Sequence, residues 1–270
     1  MKDSANNVVF WLNEDDLSCI PTSAYWNDEE KETDKVFSTV TENSDELWRY
    51  LQESTTFYEQ YEAVLRFAND LGLKTHGTGV DVAAGVCWTT ALLSQITGVQ
   101  KVYAIDMSKH RLLRLAPLVC QALDAEESKI IRAFGSFYDI RLSSGSVDFC
   151  LMSQAFHHAD NPHKLLSELH RILNPGGCVL VFGETPIYPL WLLKKWFKNI
   201  IKMIVPASFY ASKPVYKLFP SFEELFPPDS ELGDHYYRIH DYKVIFEACG
   251  FVLHSRRIGR DTLFVGVKKG

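Results

Sequence analysis

The stretch Gly79-Val80-Asp81-Val82-Ala83-Ala84-Gly85-Val86-Cys87-Trp88 sets the reading of the fold. Val80 and Val82 flank Asp81 in a short β-rich run, and the small residues Ala83, Ala84 and Gly85 follow it. Residues with so little side chain let a ligand approach the backbone. Trp88 to Ile96 then places apolar residues at Ala91, Leu92 and Ile96, a helical spacing. Lys101 to Ile105 reads as a second buried strand with Asp106 at its C-terminal end. Strand, small-residue turn, helix, strand and acid is the order in which an α/β fold offers backbone N–H groups to a nucleotide and grips its ribose.

The chain continues in the same alternation. Lys129 to Ala133 reads as a short strand before Gly135-Ser136-Phe137, and Ser146 to Ser153 as another, leading into Gln154-Ala155-Phe156-His157-His158. A helix is expected over His163 to Leu173, stopped by Asn174-Pro175-Gly176-Gly177 with glycine as its C-cap. Cys178 to Phe182 is the next buried strand, and Phe251 to Arg256 with Thr262 to Val267 form a closing hairpin. Upstream, residues 44–72 read as helical, with an N-cap at Ser44 and a stop at Leu71-Gly72.

Asp81-x-Ala-x-Gly85, Ala104-Ile105-Asp106-Met107-Ser108, Gly145-Ser146-Val147-Asp148, and Phe156-His157-His158 leading to Arg171-Ile172-Leu173-Asn174-Pro175-Gly176-Gly177 together carry a family likeness. The chain resembles class I S-adenosylmethionine-dependent methyltransferases, and among them the small-molecule type of ubiquinone and menaquinone biosynthesis. The resemblance covers roughly residues 60–185 well and 240–269 loosely. It implies a Rossmann-like, doubly wound α/β fold: a seven-stranded, mostly parallel sheet with an antiparallel C-terminal strand. It also implies S-adenosylmethionine as cofactor and S-adenosylhomocysteine as product. By the resemblance, Asp81 lies beneath the methionine portion near its amino group, and Ala83 and Gly85 line the turn against it. Asp106 holds the ribose hydroxyls, Met107 lies against the adenine, and Ser136 and Phe137 meet the adenine amino edge. Ser153 and Gln154 face the sulfonium and its methyl group.

Two departures stand out. Ala83 and Cys87 replace the family's usual glycines, and Ser136 replaces a common acid. The Cys87 change matters less if that position lies inside the helix start. A dinucleotide-dependent dehydrogenase would share Asp106, but it requires G-x-G-x-x-G and no acid inside the first strand. Two alternatives stay open. One is a fold that kept cofactor or partner binding without turnover. The other is a protein or RNA methyltransferase.

Methyl transfer to a protonated oxygen or an acidic carbon requires a proton acceptor, and histidine titrates in the right range. His157 and His158 follow the fourth strand of the expected sheet, where the acceptor should arrive, so each is a candidate catalytic residue. Neighbouring residues on a helix face different ways, so one rather than both is expected to act. No thiolate pair or other metal-ligand spacing is present, and no metal is expected. The six cysteines are scattered without a C-x-x-C pair and read as reduced core thiols. A net charge of −6 gives no general attraction to nucleic acid. The absence of a signal-like or long apolar run points to a cytoplasmic protein.

Two regions lie outside the family pattern. Residues 1–55 form an acidic arm with interspersed aromatics, expected to fold over the core, while residues 56–270 form the catalytic domain. Residues 183–240, broken by prolines, form a substrate-side insertion. Within it, Leu190 to Val205 has Lys194, Lys198 and Lys202 on one helical face, a broad apolar face and no acid. Three roles fit that composition: a helix packed on the core, a lid over a greasy substrate, or a peripheral contact with a membrane.

Overall fold

The computed structural model describes residues 7–18, 20, 22–27, 44–204, 215–229 and 232–270. In chain order these form β1 (Val8–Phe10), α1 (Glu14–Ser18), α2 (Ser23–Trp26), α3 (Ser44–Arg49), α4 (Phe57–Asp70), β2 (Gly77–Val82), α5 (Trp88–Ser94), β3 (Val99–Asp106), α6 (Ala116–Ala122) and β4 (Ile130–Phe134). There follow β5 (Val147–Ser153), α7 (Pro162–Ile172), β6 (Leu173–Glu184), α8 (Pro189–Ile204), α9 (Phe222–Leu225), α10 (Ile239–Ala248), β7 (Phe251–Ile258) and β8 (Asp261–Lys268).

The strands form one sheet in the order β1-β4-β3-β2-β5-β6-β8-β7. All pairings from β1 to β6 are parallel, and β8 joins antiparallel to both β6 and β7. The chain leaves β2 towards β3 and β4, then returns to β5 and β6 on the other side. That reversal opens a crevice at the carboxyl ends of β2, β3 and β5, the usual ligand position in such sheets. Strand alternation divides the core between the two faces. Phe149, Leu151, Leu180 and Phe182 point to the side of α4, α5 and α6. Cys150, Met152, Val179 and Val181 point to the side of α7 and α10.

Three expectations are corrected. Among the described residues the sheet has eight strands, because the arm supplies β1, whose Val8, Val9 and Phe10 pair with Arg132, Ala133 and Phe134. The helix expected over 44–72 is broken: α3 runs into a π-helical turn at Tyr50–Ser54, and Thr55 is extended before α4 begins. The hydroxyl of Thr55 bonds back to the carbonyls of Tyr50 and Leu51, competing with helix continuation. Glycine does not cap α7. The chain turns extended at Leu173 and enters β6 directly, since Leu173 already pairs with Val147. At the other end of α7, Asn161 Oδ1 accepts from Lys164 N and Pro162 takes the first position.

Four of the five described cysteines are buried, all five are free thiols, and burial pushes those of Cys120 and Cys178 up to about 12. Cys19 lies outside the described residues.

Gly183, near the end of β6, has φ +75°, and a methyl there would sit 2.3 Å from Gln154 Cγ and 3.1 Å from Gln154 N. Gly72 has φ +79° with open space around it. Gly183→Ala is therefore expected to cost about 2–3 kcal/mol and Gly72→Ala only about 1 kcal/mol in denaturant unfolding. Equal losses would show that contact with Gln154 does not fix residue 183.

Candidate active site

The turn after β2 has a glycine-like backbone at three positions, only one of which is glycine. Ala83, Gly85 and Cys87 have φ values of 52°, 54° and 65°, all left-handed. Cys87 precedes α5 as its N-cap and is not inside the helix, so its substitution falls on a strained position. Ala84 N–H donates to Ile105 O at 2.9 Å, tying the turn to β3. Gly85 N–H donates to Asp106 Oδ2 at 2.7 Å, and Ser108 N–H donates to Oδ1 at 2.8 Å. Asp106 thus joins the loops after β2 and β3, with both oxygens held by backbone donors.

Asp81 lies on the α5 side of β2 and is 1% exposed. Its Oδ2 accepts from Thr89 Oγ1 at 2.6 Å and Thr90 Oγ1 at 2.5 Å. Its Oδ1 is buried without a protein partner. Burial raises the carboxyl to about 6 against the pull of the two hydroxyls, and Asp106 adds to the rise.

Ser136 and Phe137 follow β4. The Ser136 hydroxyl accepts from Tyr138 N–H at 3.1 Å, fixing that loop. Ser153 ends β5, its Oγ enclosed and without a protein partner. Gln154 is left-handed at φ 51°, and its N–H donates to Phe182 O at 2.9 Å.

His157 and His158 stand in different settings. His157 Nδ1 lies 3.1 and 3.2 Å from the two carboxylate oxygens of Glu184, which is 1% exposed. The same carboxylate accepts from Phe156 N–H at 3.0 Å and from the Tyr242 hydroxyl at 2.8 Å. Desolvation works to lower the His157 imidazole, but the charge of Glu184 and its hydrogen bond prevail and raise it. His158 Nδ1 is 2.9 Å from Asp234 Oδ1, a close approach off the axis of a hydrogen bond. His158, then His157, hold the Asp234 carboxyl below its ordinary value. Ligand atoms of His157, His158 and Asp234 lie within 4.8 Å of one another, a spacing at which a cation can also be held.

The arm reaches the same place. Asn27 Nδ2 donates to Met107 O and Asn27 Oδ1 accepts from Lys109 N–H, both at 3.0 Å, so the arm holds the loop after β3. Trp26 lies under the Arg111 guanidinium at 4.8 Å and meets the His158 ring edge-on at 5.4 Å. Arg111 in turn lies beside Gly85, 3.3 Å from where a β-carbon would stand.

The structure thus gathers Asp81, Ala83, Gly85, Asp106 and Met107 around the loops after β2 and β3, and Ser136 and Phe137 after β4. Ser153, Gln154, His157 and His158 follow β5. Sequence reasoning missed Trp26, Asn27, Asp234 and Glu184. Only Glu184 left a signal, as a single acid closing the apolar run of β6 at the edge where ligands bind.

Residues 80–181 match the methyltransferase domain family. That stretch, from β2 to β6, is a methyltransferase domain. The protein is accordingly an enzyme, with S-adenosylmethionine as its cofactor. Solved structures agree in fold. An S-adenosylmethionine-dependent methyltransferase from Aquifex aeolicus is 20% identical, with a TM-score of 0.53 over 86% of this chain and 96% of that one. One from Mesorhizobium loti is 16% identical, with a TM-score of 0.52 over 76% and 98%. A Haloferax volcanii structure, a complex with the Trm112 methyltransferase activator, gives 15% identity and a TM-score of 0.57 over 87% and 98%. No curated protein matches the chain by sequence.

The left-handed Ala83 carries a strain that glycine would not, partly offset by glycine's greater freedom in the unfolded chain. Ala83→Gly should raise the unfolding free energy by up to ~1 kcal/mol. Cys87→Gly, which also deletes a buried thiol, should not. Thermal melts of the two variants check this, and a lower Tm for Ala83→Gly would contradict the strain.

Proposed function

We propose that the enzyme methylates a small, lipophilic metabolite at oxygen or carbon, in the manner of the ubiquinone and menaquinone type, with His157 as the proton acceptor. The observation that carries the reading is the clamp of buried Glu184 on His157 Nδ1, which leaves Nε2, 3.9 Å from Asp234 Oδ1, as the basic atom beside the end of β5. S-adenosylmethionine, when bound, supplies a methyl group made electrophilic by its sulfonium.

The cofactor fits the residues present. Asp81 Oδ1, buried and without a protein partner, is suited to the ammonium of the methionine portion. Asp106, fixed by Gly85 and Ser108, turns its remaining lone pairs to the ribose hydroxyls. Ala83 and Gly85 allow close approach to the turn, Met107 and Phe137 flank the adenine, and Ser136 stands at its amino edge. Ser153 and Gln154 border the reacting methyl. Residues 1–55 act as a cap, for which the contacts of Trp26 and Asn27 are the support. A cap excludes water and holds acceptor and cofactor in line, and alignment of this kind can lower a barrier by several kcal/mol. A lipophilic acceptor accords with a cytoplasmic enzyme working at a membrane surface through α8. Among the described residues no helix is long and apolar enough to cross a membrane.

Asp81 must be ionised to hold an ammonium, and it takes up a proton as pH falls through about 6. Calorimetric affinity for S-adenosylmethionine should therefore weaken as pH drops through that value. Asp81→Asn should bind weakly at every pH, and a pH-independent affinity in the wild type would remove Asp81 from the site.

A histidine base works only when neutral, so turnover should rise with pH through the elevated titration of His157. Glu184→Gln removes the charge that raises it. The inflection should then move to lower pH while kcat falls by less than the about hundredfold that marks the lower end of the general-base effect, because the base itself is still present. His157→Ala should lose about a hundredfold on the same grounds. A pH–rate profile recorded with and without EDTA checks both variants. Loss of turnover in EDTA, restored by a divalent cation, would reassign His157, His158 and Asp234 to metal binding.

A further inference from the structure

An amphipathic helix on a globular domain ordinarily turns its apolar stripe to the core. In α8 the stripe faces outward. Leu190, Leu193, Phe197, Ile201 and Ile204 recur at three- and four-residue intervals and so share one face, and they are 46–79% exposed. The buried residue of the helix is Asn199, on the opposite side. Its amide donates to Val215 O at 2.9 Å and accepts from Val215 N–H at 2.8 Å, drawing the following segment alongside. Trp196 Nε1 donates to Leu218 O at 2.8 Å. Ring contacts run from Phe197 to Trp196 at 4.9 Å and on to Phe219 at 6.3 Å, so the exposed Phe219 joins the same patch. An outward patch of this continuity marks an interaction surface.

Charge selects its partner. Pro189–Ile204 has no acidic residue, and exposed Lys194 and Lys198 border the apolar stripe on one side. The chain as a whole is at −6, so this is a local reversal of sign. A second copy of the chain would oppose lysine to lysine across a two-fold interface. Aromatic and aliphatic side chains beside lysines instead match the boundary between headgroups and acyl chains.

We infer that α8, with the Tyr216–Phe219 segment beside it, lies in the surface of a bilayer bearing anionic phospholipid. This inference rests on the lipophilic-acceptor reading for its purpose, since α8 begins five residues after Glu184. The connection is tied to the acceptor side: Ile187 N–H donates to Tyr237 O at 2.9 Å, and His235 N–H donates to His157 O at 2.7 Å. Docking brings the acceptor edge of the site to the lipid, from which a greasy acceptor enters without crossing water.

The test is sedimentation of the full chain with phosphatidylcholine vesicles, with and without phosphatidylglycerol, alongside calorimetry with S-adenosylmethionine. The wild type should sediment with the phosphatidylglycerol vesicles. Phe197→Glu with Ile201→Glu should weaken adsorption by tenfold or more, and Lys194→Glu with Lys198→Glu by about tenfold on anionic vesicles alone. Cofactor affinity should be unchanged in both. Wild-type protein left in the supernatant of both vesicles, with cofactor binding intact, overturns the inference and leaves the methyltransferase reading standing. A dimer that the Phe197→Glu, Ile201→Glu variant separates, without vesicle binding, also overturns it and gives the face to a second copy. Vesicle binding by a protein that takes no cofactor supports the surface and removes the catalytic reading.

Discussion

The region beyond β5 is organised by the need to satisfy one buried carboxylate. Glu184 is almost wholly removed from water, where an unpaired charge would be very costly. Its donors come from separate parts of the chain: the backbone of Phe156, the ring of His157 and the hydroxyl of Tyr242 on α10. Meeting that demand fixes the connection after β5, the end of β6 and the docking of α10 together. The same bonds hold the ring of His157 in place.

The cofactor side depends on a different economy of backbone. Three left-handed residues alternate through the turn after β2, and only one is glycine. The remaining strain is held by Asp106, which receives a backbone donor from this turn and another from the next. Conformations of this kind persist where surrounding bonds over-determine them, and they gather at functional sites.

The strands and the acids at their ends were legible because parallel strands buried on both faces read as uninterrupted apolar runs, and Asp81 and Asp106 interrupt or close them. The residues of the first crossover could be placed from spacing alone. What was not legible depended on contacts distant in sequence. Asp234 meets the histidines from within the insertion, and Asn27 reaches Met107 across eighty positions. β1 has only three residues, too few for a periodic signal, and the break in the helix at Thr55 turns on one hydroxyl. For the same reason α8 could be foreseen as amphipathic, but not the direction of its apolar face.

The borders of the sheet have a consequence for the behaviour of the protein at high concentration. Open strand edges recruit other chains and seed aggregates. Here one edge is finished by β1, which offers just three residues to a newcomer. The other is β7, where the exposed Arg257 and the Arg256–Asp70 ion pair at 3.0 Å crowd the border along which another molecule's edge would have to pair. Among the described residues the sheet thus ends at both sides in surfaces poorly suited to continuation by another chain.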